Sequence, residues 1–156
     1  MYQNTVDSLV TQMQISGLTN GDMYYFKVTA TNLVGESSDS SPTSALAAVT
    51  PSAPSMPQIV SQTSTQITFS WFEPSNGGSN IDDYQVFVCR NELLFDCSFE
   101  LLASTTGGLK QYSATSLTKG QTYQFKVRAH NSIGYGAYSD VLSAVAADKP
   151  SQPNPV

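Results

Sequence analysis

The sequence predicts an all-β chain folded as an antiparallel β-sandwich, with one complete domain preceded by the C-terminal part of another. Three observations predict it. The phrase LTNGDMYYFKVTATNLVG, starting at Leu18, returns as LTKGQTYQFKVRAHNSIG at Leu117, an offset of 99 residues. Within each phrase apolar and polar residues alternate with period two, the pattern of a strand with one buried and one wet face. Charged residues make up only 12% of the chain, about half the usual ~25% share. Ser, Thr, Asn and Gln cover the surface instead, which suits short strands and turns better than long helices.

The repeat sets the domain organisation. Leu18, Gly21, Tyr24, Phe26, Lys27, Val28, Ala30, Asn32 and Gly35 meet Leu117, Gly120, Tyr123, Phe125, Lys126, Val127, Ala129, Asn131 and Gly134, and the register runs on to Pro51 and Pro150. A period near a hundred residues is that of a whole domain. The predicted divisions are residues 1–50, the C-terminal half of a first domain; 51–56, a Pro-rich linker; 57–148, a complete domain; and 149–156, a second Pro-rich linker that leads toward a further copy.

Each strand of the second copy has its own signal. Ile67, Phe69 and Trp71 alternate with Thr68, Ser70 and Phe72, and Tyr84, Val86 and Val88 alternate with Gln85, Phe87 and Cys89. Tyr123, Phe125, Val127 and Ala129 point one way, and Gln124, Lys126, Arg128 and His130 the other. The stretch AYSDVLSAVAA is extended and ends at DKPSQPNP, whose prolines stop a ladder and stiffen a linker. PSNGGSN and TTGG mark turns between strands. Two stacked layers are expected to seal the Trp71 indole against the Tyr123 ring.

Composition excludes several functions. The formal charge of -5, without a basic cluster, argues against nucleic-acid binding. No apolar run is long enough to span a membrane, so direct membrane insertion of this segment is not expected. Met1-Tyr2-Gln3-Asn4 lacks the basic stretch and apolar core of a secretory signal.

The ordered set of marks from Pro54 to Ala147 resembles the fibronectin type III domain: PSAPSMP, then ITFSW ending at Trp71, then EPSNGGSNIDDYQVFV, then LTKGQTYQFKVRAHNSIGYGAYS. The resemblance implies an immunoglobulin-like sandwich with a structural core of Trp71, Tyr84, Leu117, Tyr123 and Phe125. Leu117 and Tyr123 look like a tyrosine corner, whose hydroxyl reaches backbone upstream. Gly120 is the tight turn between them, and Gly134 and Gly136 are expected to supply positive φ in the last hairpin. The first copy resembles only the last part of such a domain: TQMQISGL as its fifth strand, YYFKVTATN as its sixth and SSPTSALAAV as its seventh. Asp39 stands where Tyr138 stands in the second copy. Three strands without an opposing sheet leave Tyr24, Phe26 and Val28 in water.

Candidate chemistry is sparse. Cys89 and Cys97 flank RNELLFD; a hairpin centred near Leu93 would set them opposite each other. Two readings stay open, a cross-strand disulfide in an oxidising compartment and two free thiols in a cytosolic protein. Two cysteines and a distant single His do not form a zinc set, so no metal and no cofactor are expected. His130 belongs to a wet strand face, and Asp82-Asp83 is a bare pair beside a turn, short of the oxygen count of a calcium site. No nucleophile elbow is present, so the chain is not expected to be an enzyme. Phe87 falls on the outward face of its strand, Phe95 and Phe99 in the following hairpin, and Tyr135 at a loop tip. Phe87 and Tyr135 are therefore the candidate partner-binding residues. The resemblance implies a non-catalytic protein-binding and spacer segment of a cell-surface or extracellular protein. Its partners are proteins of unknown identity and neighbouring fibronectin type III domains in the same chain. An intracellular cytoskeletal scaffold array and an accessory module of a multidomain enzyme are the alternatives.

Overall fold

A computed structural model describes residues 10–90, 97–106 and 108–150. Contacts divide the chain into two units, Met1–Ala47 and Ala48–Val156. The first unit contributes β1 (Met23–Phe26) and β2 (Thr43–Leu46), paired antiparallel with Tyr24 opposite Ala45. The second contributes β3 (Gln58–Gln62), β4 (Ile67–Ser70), β5 (Asp83–Cys89), β6 (Glu100–Thr106), β7 (Gln111–Ala114), β8 (Thr122–Asn131), β9 (Gly134–Tyr138) and β10 (Leu142–Val145). These form a three-stranded sheet in the order β3-β4-β7 and a five-stranded sheet in the order β10-β8-β5-β6, with β9 also on β8. Every pairing is antiparallel.

β8 shows why the sheets close on each other. Its ten residues alternate strictly between partly exposed and buried. Tyr123, Phe125, Val127 and Ala129 enter a core shared with Ile67, Phe69 and Trp71 of the other sheet. The rings of Phe69 and Phe125 meet with centroids 4.6 Å apart, bridging the two layers. Such a pair adds about 0.5–1.5 kcal/mol beyond the area it buries. Trp71, Tyr84, Leu117, Tyr123 and Phe125 all lie in this one core.

The indole, however, does not pack on Tyr123. It meets Tyr84 edge-on at 5.4 Å and Phe69 at 6.2 Å. Register is the reason: Tyr84 sits opposite Ala129, and Tyr123 is further along β8 by roughly 20 Å at ~3.3 Å per residue. Phe69 and Phe125 connect the two ends.

The two tyrosines differ in polar satisfaction. Tyr123 Oη accepts a hydrogen bond from Thr118 N at 2.9 Å, closing the tyrosine corner. Tyr84 Oη and Trp71 Nε1 are buried without a hydrogen-bond partner among the described residues. Burial, followed by the nearby Glu73 carboxylate, pushes the Tyr84 phenol up to about 12.

The repeat reaches to individual hydrogen bonds. Thr19 N donates to Tyr24 Oη at 3.0 Å, as Thr118 N does to Tyr123. Gly21 N reaches Ala47 O at 2.8 Å, and Gly120 N reaches Ala146 O at 2.8 Å. Val28 N donates to Ser40 Oγ and Val127 N to Ser139 Oγ, both at 3.0 Å. Asn32 Oδ1 caps Val34 N and Gly35 N, and Asn131 Oδ1 caps Ile133 N and Gly134 N. Local sequence therefore builds the same hairpin frame twice. What differs is burial: Val127 is fully buried, whereas Val28 is 71% exposed, because among the described residues the first unit has no sheet opposite β1. TQMQISGL, expected as a strand, pairs with nothing as a ladder, and YYFKVTATN is a strand only through Phe26.

The stretch expected as a Pro-rich linker belongs to the second unit. Pro51, Pro54 and Pro57 are buried. Val49 N donates to Gly77 O at 2.9 Å, Ser52 N to Ser75 O at 3.0 Å, and Ser75 N back to Ser52 Oγ at 3.0 Å. Asn131 holds the stretch in place: it is fully buried, and its Nδ2 donates to Val49 O and Asn76 O, both at 2.8 Å. Gly136 does not have positive φ, contrary to expectation. It is needed because a Cβ there would stand 2.1 Å from Pro51 O, backbone that cannot yield.

Two outcomes follow for urea denaturation. Tyr123→Phe strands the Thr118 amide and is expected to cost about 1–2 kcal/mol, whereas Tyr84→Phe removes an orphan hydroxyl and is expected to be neutral or stabilising. The phenol of Tyr84 favours its neutral form in the fold, so its contribution is intact below pH 10 and lost between pH 10 and about 12. Over that window Tyr84→Phe is expected to lose less stability than the parent chain. Asn131→Ala removes a fully buried carboxamide that bonds the backbone of three segments, and is expected to cost about 3 kcal/mol with faster hydrogen exchange at Ser52 N.

Candidate interaction surface

The outer face of β8 presents Gln124, Lys126, Arg128 and His130 between β5 on one side and β9 on the other. Pairing brings Gln85 and Phe87 opposite Arg128 and Lys126, and Tyr138 and Tyr135 opposite Arg128 and His130. The long side chains then interleave. Lys126 Nζ lies over the Tyr138 ring at 4.0 Å and the Phe99 ring at 4.2 Å. The Arg128 guanidinium lies over Tyr135 at 4.3 Å, Tyr138 at 5.1 Å and Phe87 at 5.3 Å. Each such contact is worth about 0.5–1 kcal/mol at an exposed site. Gln85 locks the geometry: its Oε1 accepts from Arg128 Nε and Nη2 at 3.0 and 2.7 Å, and its Nε2 donates to Tyr135 Oη at 2.9 Å. His130 packs against Tyr135 in a tilted contact, centroids 4.4 Å apart, and meets Asp82 Oδ1 through Nδ1 at 2.7 Å. The neighbouring Asp83 carboxyl is raised, chiefly by burial.

The structure brings the two candidate residues together, since Arg128 bridges Phe87 and Tyr135. It also separates their roles. Phe87 faces outward but is only 9% exposed, because Arg128 covers it and Tyr138 packs edge-on against it at 5.2 Å. Tyr135 and Tyr138, each 41% exposed, are the accessible rings. Phe95 and Leu93 lie outside the described residues. Lys126, Arg128, Gln85 and Tyr138 were not among the candidates, although the alternation of β8 places both cations outward and the spacing of GYGAY sets two tyrosines on the neighbouring strand.

The first unit provides an internal contrast at the same positions. Lys27, the counterpart of Lys126, forms an ion pair with Asp39 at 2.9 Å, where the second unit has Tyr138. Thr29, the counterpart of Arg128, donates to Glu36 Oε1 at 2.7 Å, where the second unit has Tyr135. Two carboxylates have become two phenols. Lys110 and Lys119 likewise pair with Glu73 and Asp148. Among the described residues no carboxylate pairs with Lys126 or Arg128.

Cys89, the last residue of β5, is paired with Cys97 ahead of β6, Cα atoms 5.8 Å apart, within the ~4.4–6.8 Å span of disulfides. Among the described residues no three His, Cys, Asp or Glu side chains converge as a metal site requires, and no helix is long and apolar enough to cross a membrane.

Comparison with known proteins agrees with this architecture. Ephrin type-B receptor 5 of Gallus gallus is 34% identical over 133 residues, covering 82% of this chain and 13% of the receptor. Myomesin-2 of Homo sapiens is 27% identical over 151 residues, covering 93% of this chain and 10% of that protein. The chain thus spans only a small part of these relatives. The crystal structure of domains A168-A170 from titin superposes with a TM-score of 0.63 at 22% identity, over 85% of this chain and 44% of that one, which speaks to the fold alone. The family model described as fibronectin type III domain matches residues 52–145. With the tyrosine corner, the two-sheet core and this match in agreement, the chain belongs to the fibronectin type III domain family.

Proposed function

We propose that the chain is a non-catalytic protein-binding and spacer segment of a larger multidomain protein at the cell surface or outside the cell. The observation that carries the binding role is the outer face of β8, where Gln85 fixes Arg128 and Tyr135, Lys126 lies over the Tyr138 ring, and no described carboxylate pairs with either cation. Tyr and Arg are the residue types enriched at binding hot spots, and their restraint before binding lowers the entropy cost of docking. The spacer role rests on the stretch from Val49 to Ser52, which is bonded to the 75–77 loop and so acts as part of the second unit's rigid body. The Cys89–Cys97 pairing favours an oxidising compartment, and likeness to a protein named as a receptor accords with it.

A second reading, an intracellular scaffold array, is favoured by the likeness to Myomesin-2 over 93% of the chain. Compartment separates the two. On intact cells expressing the full-length protein, an antibody to this segment is expected to stain without permeabilisation. Under denaturing conditions the native protein is expected to titrate no free thiol at Cys89 and Cys97 until it is reduced. Staining confined to permeabilised cells, with both thiols free, would favour the scaffold.

A further inference from the structure

We propose that the partner docked on the outer face of β8 is an acidic protein segment, whose carboxylates approach Lys126 and Arg128 while its apolar side chains lie against Tyr135 and Tyr138. This rests on the protein-binding reading above and specifies the chemistry of the partner.

Charge is the first argument. The chain carries a formal charge of -5, yet this face holds two cations that no described carboxylate pairs with. A cation over an aromatic ring keeps its full charge, whereas an ion pair cancels it, so the part of the face built by Lys126 and Arg128 stays positive within an acidic protein. Two carboxylates share the face at its far end: Asp82, engaged by His130, and Asp83, opposite His130 on β5.

The second argument is the contrast between repeats. The hydrogen bonds that cap the hairpin and tie it to Ser40 are present with carboxylates at these positions, where Glu36 and Asp39 pair with Thr29 and Lys27. Tyrosines at 135 and 138 are therefore not demanded by the hairpin. What they change is the surface, from internally neutralised to aromatic and positive. Tyr135 and Tyr138 remain 41% exposed after stacking, which leaves ring edges and hydroxyls for a partner.

The third argument is scale. Two cations are too few for a nucleic acid or a highly sulfated polysaccharide, whose affinity grows with the number of charges neutralised. They match one or two carboxylates flanked by apolar side chains, and a bidentate Arg–carboxylate contact is the strong form of that pairing.

The test is a selection of random peptides on the full 156-residue chain, followed by binding measurements on the selected peptides with the parent and with a Tyr135→Glu/Tyr138→Asp variant. That variant installs the residues of the first unit, so the frame is preserved; its melting temperature and tyrosine-corner amide signals verify folding. Selected peptides are expected to be enriched in Asp and Glu beside aromatic or aliphatic residues. Their affinity is expected to fall at least tenfold in the variant and to weaken as salt is raised. Acidic peptides that bind the folded variant equally would overturn the assignment of the face and leave the protein-binding reading standing. Selection of neutral or basic peptides would overturn the partner chemistry. Binding of heparin but of no peptide would overturn the proposal in favour of an anionic polysaccharide. Self-association of the chain that is lost in the variant, with no peptide bound, would overturn it in favour of a second copy.

Discussion

The contact of Phe69 with Phe125, 4.6 Å between ring centroids, is the constraint on which the second unit turns. It joins β4 of one sheet to β8 of the other and thereby fixes which face of β8 is inside. Once Phe125 is inside, Tyr123, Val127 and Ala129 follow by the period of the strand, and Lys126, Arg128 and His130 must face out. A slip of one residue would exchange the two sets and bury the cations. Core and candidate surface are two sides of one register.

The two copies show how separable frame and surface are. The bonds that shape the hairpin come from Thr19, Gly21, Tyr24, Asn32 and Ser40 in one unit, and from Thr118, Gly120, Tyr123, Asn131 and Ser139 in the other. None of them uses the outward positions. Those positions are free to vary, and there one unit has an ion pair where the other has stacked rings. Asn131 adds a further function to a shared residue: the carboxamide that caps the hairpin through its oxygen also binds Val49 and Asn76 through its nitrogen.

Much of this was legible in the sequence, and the boundary of legibility is physical. Period two revealed β8, the spacing of Leu117 and Tyr123 revealed the corner, and the offset of 99 revealed the second frame. Each is a local pattern. Neighbour relations across strands were not legible. That Trp71 meets Tyr84 depends on how far each lies along its strand. That Phe87 is covered depends on Arg128 reaching across from β8 and Tyr138 from β9, with Gln85 fixing the fork. That prolines 51 and 54 dock on the domain depends on loop 75–77 and a single buried asparagine. Alternation tells which way a side chain points; it does not tell what will lie on top of it.

The central claim is that one register of β8 builds an aromatic core on one side and a preformed layer of cations and rings on the other. Side-chain proton NMR of the chain tests both at once. Nuclear Overhauser contacts between the Phe69 and Phe125 rings should coincide with ring-current displacement of the Lys126 ε-methylene and Arg128 δ-methylene protons, upfield of their positions in an unstructured peptide. Unshifted methylenes alongside an intact Phe69–Phe125 contact would contradict the preformed surface, and loss of the ring contact itself would contradict the register from which the surface follows.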